Sequence, residues 1–382
     1  MSKDKRPLGI ICHLLFLYIV AIFSIQGCVP GEEEKNKPAA KQGLLKHPIY
    51  SKYEFSDEDS VINIGVQPLF IPTGHIVETI KRDGVFREAL SELGMVIKYY
   101  SFLKGSDVNY FLKRSDLDIG IGGDMPTLTA ASSIDIVIPS LFQLGFTSIM
   151  ANRHMLLTEL RGRRIGYALG SNAHYGLLNA LAQEGISEND VRLVSMDVNK
   201  MPERLRNGSI SAFSAWEPTP TISLKINKDS VIIHQSQSSG YIYFSREFAE
   251  KYPEPVKHVI AAEIRAIRWI QKSRQNLLSA SKWALLEAEI LSGNKPSLSI
   301  KEYMELAKKD ILGMDSDPVI PEIFFSGSGT LRREFELLKS IGKIPANFHW
   351  KRVRDSFDLD VINEVIGNSL KYKLNEFEYD ND

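Results

Sequence analysis

Apolar residues fall along this chain in short runs, separated by stretches where they recur every three or four positions. Runs at 61–66 (VINIGV), 95–100, 117–122 and 134–140 predict strands, and the spacing around 74–93, 106–115 and 125–132 predicts helices between them. A second set repeats the alternation, with strands near 163–168, 191–196, 211–216 and 230–234 and helices near 171–185 and 200–207. Asn199 and Gly208 bracket the last of these as a cap and a stop. From 255 to 290 the pattern becomes long and helical, with Val259, Ile260, Ile264, Ile267 and Ile270 on one face. Strand–helix alternation predicts an α/β fold with a largely parallel sheet. No solenoid-type repeat is present.

Some 320 residues exceed what one hydrophobic core usually covers, which predicts two lobes. The runs 142–153 and 238–246 are extended and flank the second set, so they read as two connections. This divides the chain into 61–146 as the first part of lobe 1, 147–243 as lobe 2, and 244–382 as the return to lobe 1 with C-terminal helices. The ligand cleft is then expected outside the carboxyl ends of the strands.

The N-terminal segment changes the picture of where this fold works. Lys3, Lys5 and Arg6 precede an apolar run from Leu8 to Phe23, and Gly27 stands directly before Cys28. Charged start and short apolar stretch together read as an export signal over 1–27. Ile25-Gln26-Gly27-Cys28 resembles the lipobox of bacterial lipoproteins, which implies acylation of Cys28 and a lipid anchor outside the cytoplasm. Residues 28–60, opening with the Glu, Lys and Pro of VPGEEEKNKPAAKQG, read as a solvated linker. Cys12 is the one other cysteine, so the mature chain folds without disulfides.

Charge and missing motifs narrow the function. Removing the signal moves the formal net charge from −1 to about −3, which argues against general nucleic-acid binding. In GIGGDMP, Met125 stands where a dinucleotide fingerprint needs glycine. No phosphate loop, His-Glu-x-x-His or Gly-x-Ser-x-Gly occurs. The eight histidines are scattered, so no metal site, no cofactor and no catalytic machinery are expected.

What remains is polar residues at strand-to-helix turns. GVQPLFIPTGH holds Gln67 and Phe70; GGDMPT holds Gly123, Asp124 and Met125; GSNAHY holds Ser171, Asn172, Ala173 and His174; AWEPTP holds Trp216 and Glu217. A helix start offers unpaired N–H groups and partial positive charge. Ser171 therefore either caps its own helix, leaving His174 solvated, or joins the N–H groups of Asn172 and Ala173 on an anion. Asp124 suits a cap, and Trp216 suits either the core or a ligand platform.

These turns, in this order, resemble the solute-binding proteins of ABC importers for sulfonates, taurine, nitrate and thiamine-pyrimidine precursors. The blocks VINIGVQ, LDIGIGGDMPTLTAA, LRGRRIGYALGSNAHYGLLNALAQEGISENDVRLVSM, ERLRNGSISAFSAWEPT and FSREFAEKYPEPVKHVI carry the resemblance over 61–275. It implies a two-lobe periplasmic-binding-protein type II fold with a helical C-terminal extension. The Ser-x-x-His-Tyr start and the Gly123-Asp124 turn are most similar to the aliphatic-sulfonate branch. Trp216-Glu217-Pro218 departs from that family's Trp-Asp-Pro. The resemblance implies a monomeric binding protein for a small organic anion, with a permease and a separate ATPase as partners. A sensing or scaffold lipoprotein without transport is the alternative, as is a pyrimidine, nitrate or bicarbonate ligand.

Overall fold

The computed structural model describes residues 43–380. The predicted signal and Cys28 lie outside the described residues. Of the described residues, 43–52 fall in a unit of their own, in which Tyr50–Lys52 make a single 3-10 turn. From Tyr53 onward the chain is one compact unit.

Its first part runs β1 (Val61–Val66), α1 (Thr73–Lys81), α2 (Gly84–Glu92), β2 (Val96–Ser101), α3 (Gly105–Lys113), β3 (Ile119–Gly123), α4 (Asp124–Ala131) and β4 (Ile136–Ala151). There follow β5 (Arg164–Tyr167), α5 (Asn172–Gln183), β6 (Arg192–Ser195), α6 (Met201–Arg206), β7 (Ala212–Trp216), α7 (Thr219–Ile226) and β8 (Val231–Ser245). The C-terminal region is helical: α8 (Arg246–Lys251), α9 (Pro253–Lys272), α10 (Arg274–Ser292), α11 (Ile300–Leu312), α12 (Thr330–Ser340), α13 (Trp350–Arg354) and α14 (Leu359–Gly367).

All eight strands form one sheet in the order β2-β1-β3-β8-β4-β7-β5-β6. The expected largely parallel sheet is in fact mixed. The β1, β2, β3 group and the β5, β6, β7 group are each parallel inside, but β8 and β4 run antiparallel to each other and to their outer neighbours. The reason is length: the runs 134–140 and 142–153 are one strand of 16 residues, and 230–234 and 238–246 join in one of 15. Pro139 sits at a register shift between Val137 and Ser140, where no ladder N–H is needed.

Two predicted helices are split by capping side chains. Asp83 interrupts 74–93, its carboxylate accepting from the Phe86 N–H at 3.1 Å. Ser273 does the same in 255–290, accepting from Asn276 at 3.0 Å. Asn199 is not a cap: a 3-10 turn (Val198–Lys200) precedes α6, whose cap position falls on Lys200.

The cores follow this layout. One large cluster packs β1 and β3 with α1, α2, α9, α10 and α11, through residues such as Ile64, Ile76, Ile260 and Ile267. Separate clusters lie around β5 and β7, one joining Phe70 to Trp216 and the other built on Ile165, Leu177 and Leu181. Each sheet half is thus covered by its own apolar layer. Among the described residues, no helix is long and apolar enough to cross a membrane.

Candidate functional site

The four turns singled out in the sequence follow the carboxyl ends of β1, β3, β5 and β7. Contacts between residues far apart in sequence bring them together. The rings of Phe70 and Trp216 lie 5.3 Å apart, and the Ile71 N–H donates to the Glu217 carbonyl at 3.3 Å. Ser106, at the start of α3, donates to the Leu169 carbonyl at 3.0 Å. Gly123 lies so close to Asn172 that an added Cβ would sit 2.8 Å from the asparagine's own Cβ. Only glycine permits the α4 and α5 starts to approach this far.

The start of α5 is built in detail. Gly170 takes a left-handed φ of 71° and turns the chain off β5. The Ser171 hydroxyl accepts from the His174 N–H at 3.2 Å and donates to the Ala168 carbonyl at 2.7 Å. Ser171 therefore caps its helix, and the Ala173 N–H is taken by the Asn172 side chain at 2.9 Å. His174, expected in solvent if the helix capped itself, is instead buried at 1 % exposure. Its Nδ1 accepts from the Gly170 N–H at 3.2 Å, which assigns the ring proton to Nε2, an atom with no partner. Burial, with the Lys343 charge adding to it, pushes the imidazole down to about 3, so it is neutral at physiological pH.

Asp124 occupies the first position of α4 rather than its cap, which is Gly123. Its carboxylate accepts from Met125 N–H at 2.8 Å and from Ser239 N–H, on β8, at 3.2 Å. Burial pushes its carboxyl up to about 6, against the smaller downward pull of those N–H donors. Glu334 of α12 is the neighbouring acid; burial and the Asp124 charge both raise it. Burial and the nearby Asp124 carboxylate thus both favour the protonated form of Glu334.

Gln67 donates to the Ile121 carbonyl at 2.6 Å and so ties the end of β1 to β3. Phe70, Met125, Ala173 and Trp216 are buried, and Glu217 is half-buried. Burial raises the Glu217 carboxyl, whose Oε2 accepts from the Thr221 N–H at 3.3 Å. Besides His174 Nε2, the buried atoms Trp216 Nε1, Gln143 Nε2 and Tyr241 Oη have no hydrogen-bond partner. Among the described residues no group of three His, Cys, Asp or Glu side chains is placed to hold a metal.

Sequence reasoning missed the contribution of the long strands. Ser238 accepts from Asn172 Nδ2 at 3.2 Å, and Ser236 and Thr147 share a hydrogen bond of 3.0 Å beside α5. The signal was the polar run HQSQSSG inside a stretch read as two short strands. Glu334 was missed although Leu331, Phe335 and Leu338 recur at helical spacing and place it on the buried face of α12. A cavity of 600 Å³ borders the site, with Leu69, Val198, Pro218, Ile222 and Leu285 in its wall.

Comparison with known proteins agrees with this fold. Residues 150–285 match the NMT1-like family. A Bacillus subtilis (strain 168) protein named "Putative aliphatic sulfonates-binding protein" is 26% identical over 218 residues, 54% of this chain and 64% of its own length. The match thus spans less than two thirds of that relative. The alkanesulfonate-binding protein SsuA of Xanthomonas axonopodis pv. citri, solved bound to MOPS, superposes with a TM-score of 0.56 at 17% identity, over 79% of this chain and 99% of its own. The periplasmic nitrate-binding protein NrtA of Synechocystis PCC 6803 gives 0.61 at 11% identity, over 84% and 92%. The chain therefore has the periplasmic-binding-protein type II fold, matches the NMT1-like family over residues 150–285, and is similar to aliphatic-sulfonate-binding proteins.

Proposed function

We propose that this protein is the extracytoplasmic binding subunit of an ABC importer and captures a small organic anion with a sulfonate-like head between the two sheet halves. The lipid on Cys28 would hold it at the membrane, and a permease with a separate ATPase would receive the cargo. No bond in the ligand is changed. The observation that carries the reading is that strand-end turns from both halves meet, Phe70 against Trp216 and Gly123 against Asn172, and that the buried Trp216 Nε1 there has no protein partner. A neutral donor set suits a permanently ionised head that only accepts hydrogen bonds. Phe70 and Met125 supply apolar surface for the organic part. Contacts from both halves favour the closed form over an open one.

The test is a thermal-shift and calorimetric screen of the full-length chain against alkanesulfonates, taurine, nitrate, bicarbonate and pyrimidines. A ligand at 100 times its dissociation constant adds about 2.7 kcal/mol of stability. A shift with sulfonates supports the reading. A shift with pyrimidines or nitrate alone replaces the ligand class, and no shift with any of them overturns the reading.

A further inference from the structure

A cavity of 510 Å³ on the β5–β7 half is lined by Lys104, Arg164, Lys200 and Arg204, with Ser195 and Ser209 between them. Asp197 is the single carboxylate of that lining. Such an excess of cations is local, because the whole chain has a formal net charge of −1. Lys200 is answered by Asp197 at 3.1 Å and Lys104 by Asp107 at 3.6 Å. Arg164 and Arg204 have no carboxylate within ion-pair reach among the described residues. Two guanidinium forks without a carboxylate partner, in a concave wall beside the Ser195 hydroxyl, suit a tetrahedral oxyanion. The volume is that of a small-molecule site, not of a track for an acidic polymer.

We infer that this cavity is a second anion site, for a phosphate-class oxyanion of two or more negative charges, free or esterified. A monoanion would answer only one of the two unpaired guanidinium charges. The site is separate from the cleft: none of Gln67, Asp124, Ser171, His174 or Trp216 lines it. Lys104 comes from the segment between β2 and α3, whereas Arg164 and Arg204 belong to the other sheet half. An anion held by all three bridges the halves and adds to the stability of the closed arrangement.

Isothermal calorimetry on the full-length chain tests this with pyrophosphate, inorganic phosphate and glycerol phosphate, at low and at high sodium chloride. The expected result is one saturable event that weakens with salt. Tighter binding of pyrophosphate assigns the site to free anions, and tighter binding of glycerol phosphate assigns it to esters. R164Q/R204Q should weaken binding about tenfold or more, and K104Q severalfold, with unchanged unfolding midpoints because both arginines are exposed. Methanesulfonate titrated into the same variants reports on the cleft alone, so the two sites succeed or fail separately. Absence of saturable binding by every probe, or equal affinity in R164Q/R204Q and the unaltered chain, overturns the inference.

Discussion

Ser171→Ala separates the two jobs that a serine at a helix start can do. In the structure its hydroxyl is spent inside the protein, accepting from His174 N–H and donating to Ala168 O. The Ala168 carbonyl keeps a second donor, the Ser171 N–H at 3.3 Å, so removing the hydroxyl does not orphan it. The cost is therefore the lost cap, about 1 kcal/mol, rising toward about 2 because the His174 N–H is left in a buried site. Urea unfolding of the unliganded full-length chain measures this as a lower midpoint with an unchanged slope. Ligand affinity should change less than about threefold, since that hydroxyl faces the helix. A loss of stability below about 0.3 kcal/mol together with a tenfold loss of affinity would refute the reasoning, and would mean that the hydroxyl turns to the ligand instead.

Trp216→Phe keeps the ring packed against Phe70 but deletes the unpartnered N–H, so it should retain the fold and lose affinity for sulfonates about tenfold; unchanged affinity in calorimetry would remove the indole from the site. Glu263 lies wholly buried on α9, receives the Ser140 hydroxyl at 2.6 Å, and is pushed by burial from 4.5 up to about 8. Its folded pKa is above the unfolded one, so the folded state holds an extra proton and stability falls as pH rises from about 4.5 to about 8, by at most about 5 kcal/mol. Glu263→Gln should flatten that slope in urea midpoints taken at pH 5 and pH 8, and an unaltered slope would contradict it. Arg265→Met breaks the buried pair with Asp83, whose oxygen lies 2.8 Å from Nε, and should cost about 3–5 kcal/mol in the same assay.

Much of the site was legible because turn chemistry is local. Gly170, Ser171 and Pro126 announce helix starts by their own backbone preferences, and the strands before them announce themselves by apolar runs. What was not legible depends on partners distant in sequence. Whether His174 faces water or core is decided by Tyr167, whose ring lies 4.5 Å away, and by the elements packed over α5. The antiparallel centre of the sheet was hidden because each long strand carries an internal irregularity that reads as an end. Asp83 looked like one more polar residue in a helix, and its role rests on Arg265, 182 positions further along.

The paired β4 and β8 have a mechanical consequence. They are the chain's passage between the two sheet halves in both directions, joined rung by rung from Ile136 and Ser245 to Ala151 and Val231. Sliding one half past the other would shear those rungs, whereas flexing strains the ladder only where it is already interrupted, at Val137/Ser140, Leu141/Gln143 and Ile149/Met150. The molecule therefore works like a book with a bound spine. Its covers part and meet while the stitching stays intact.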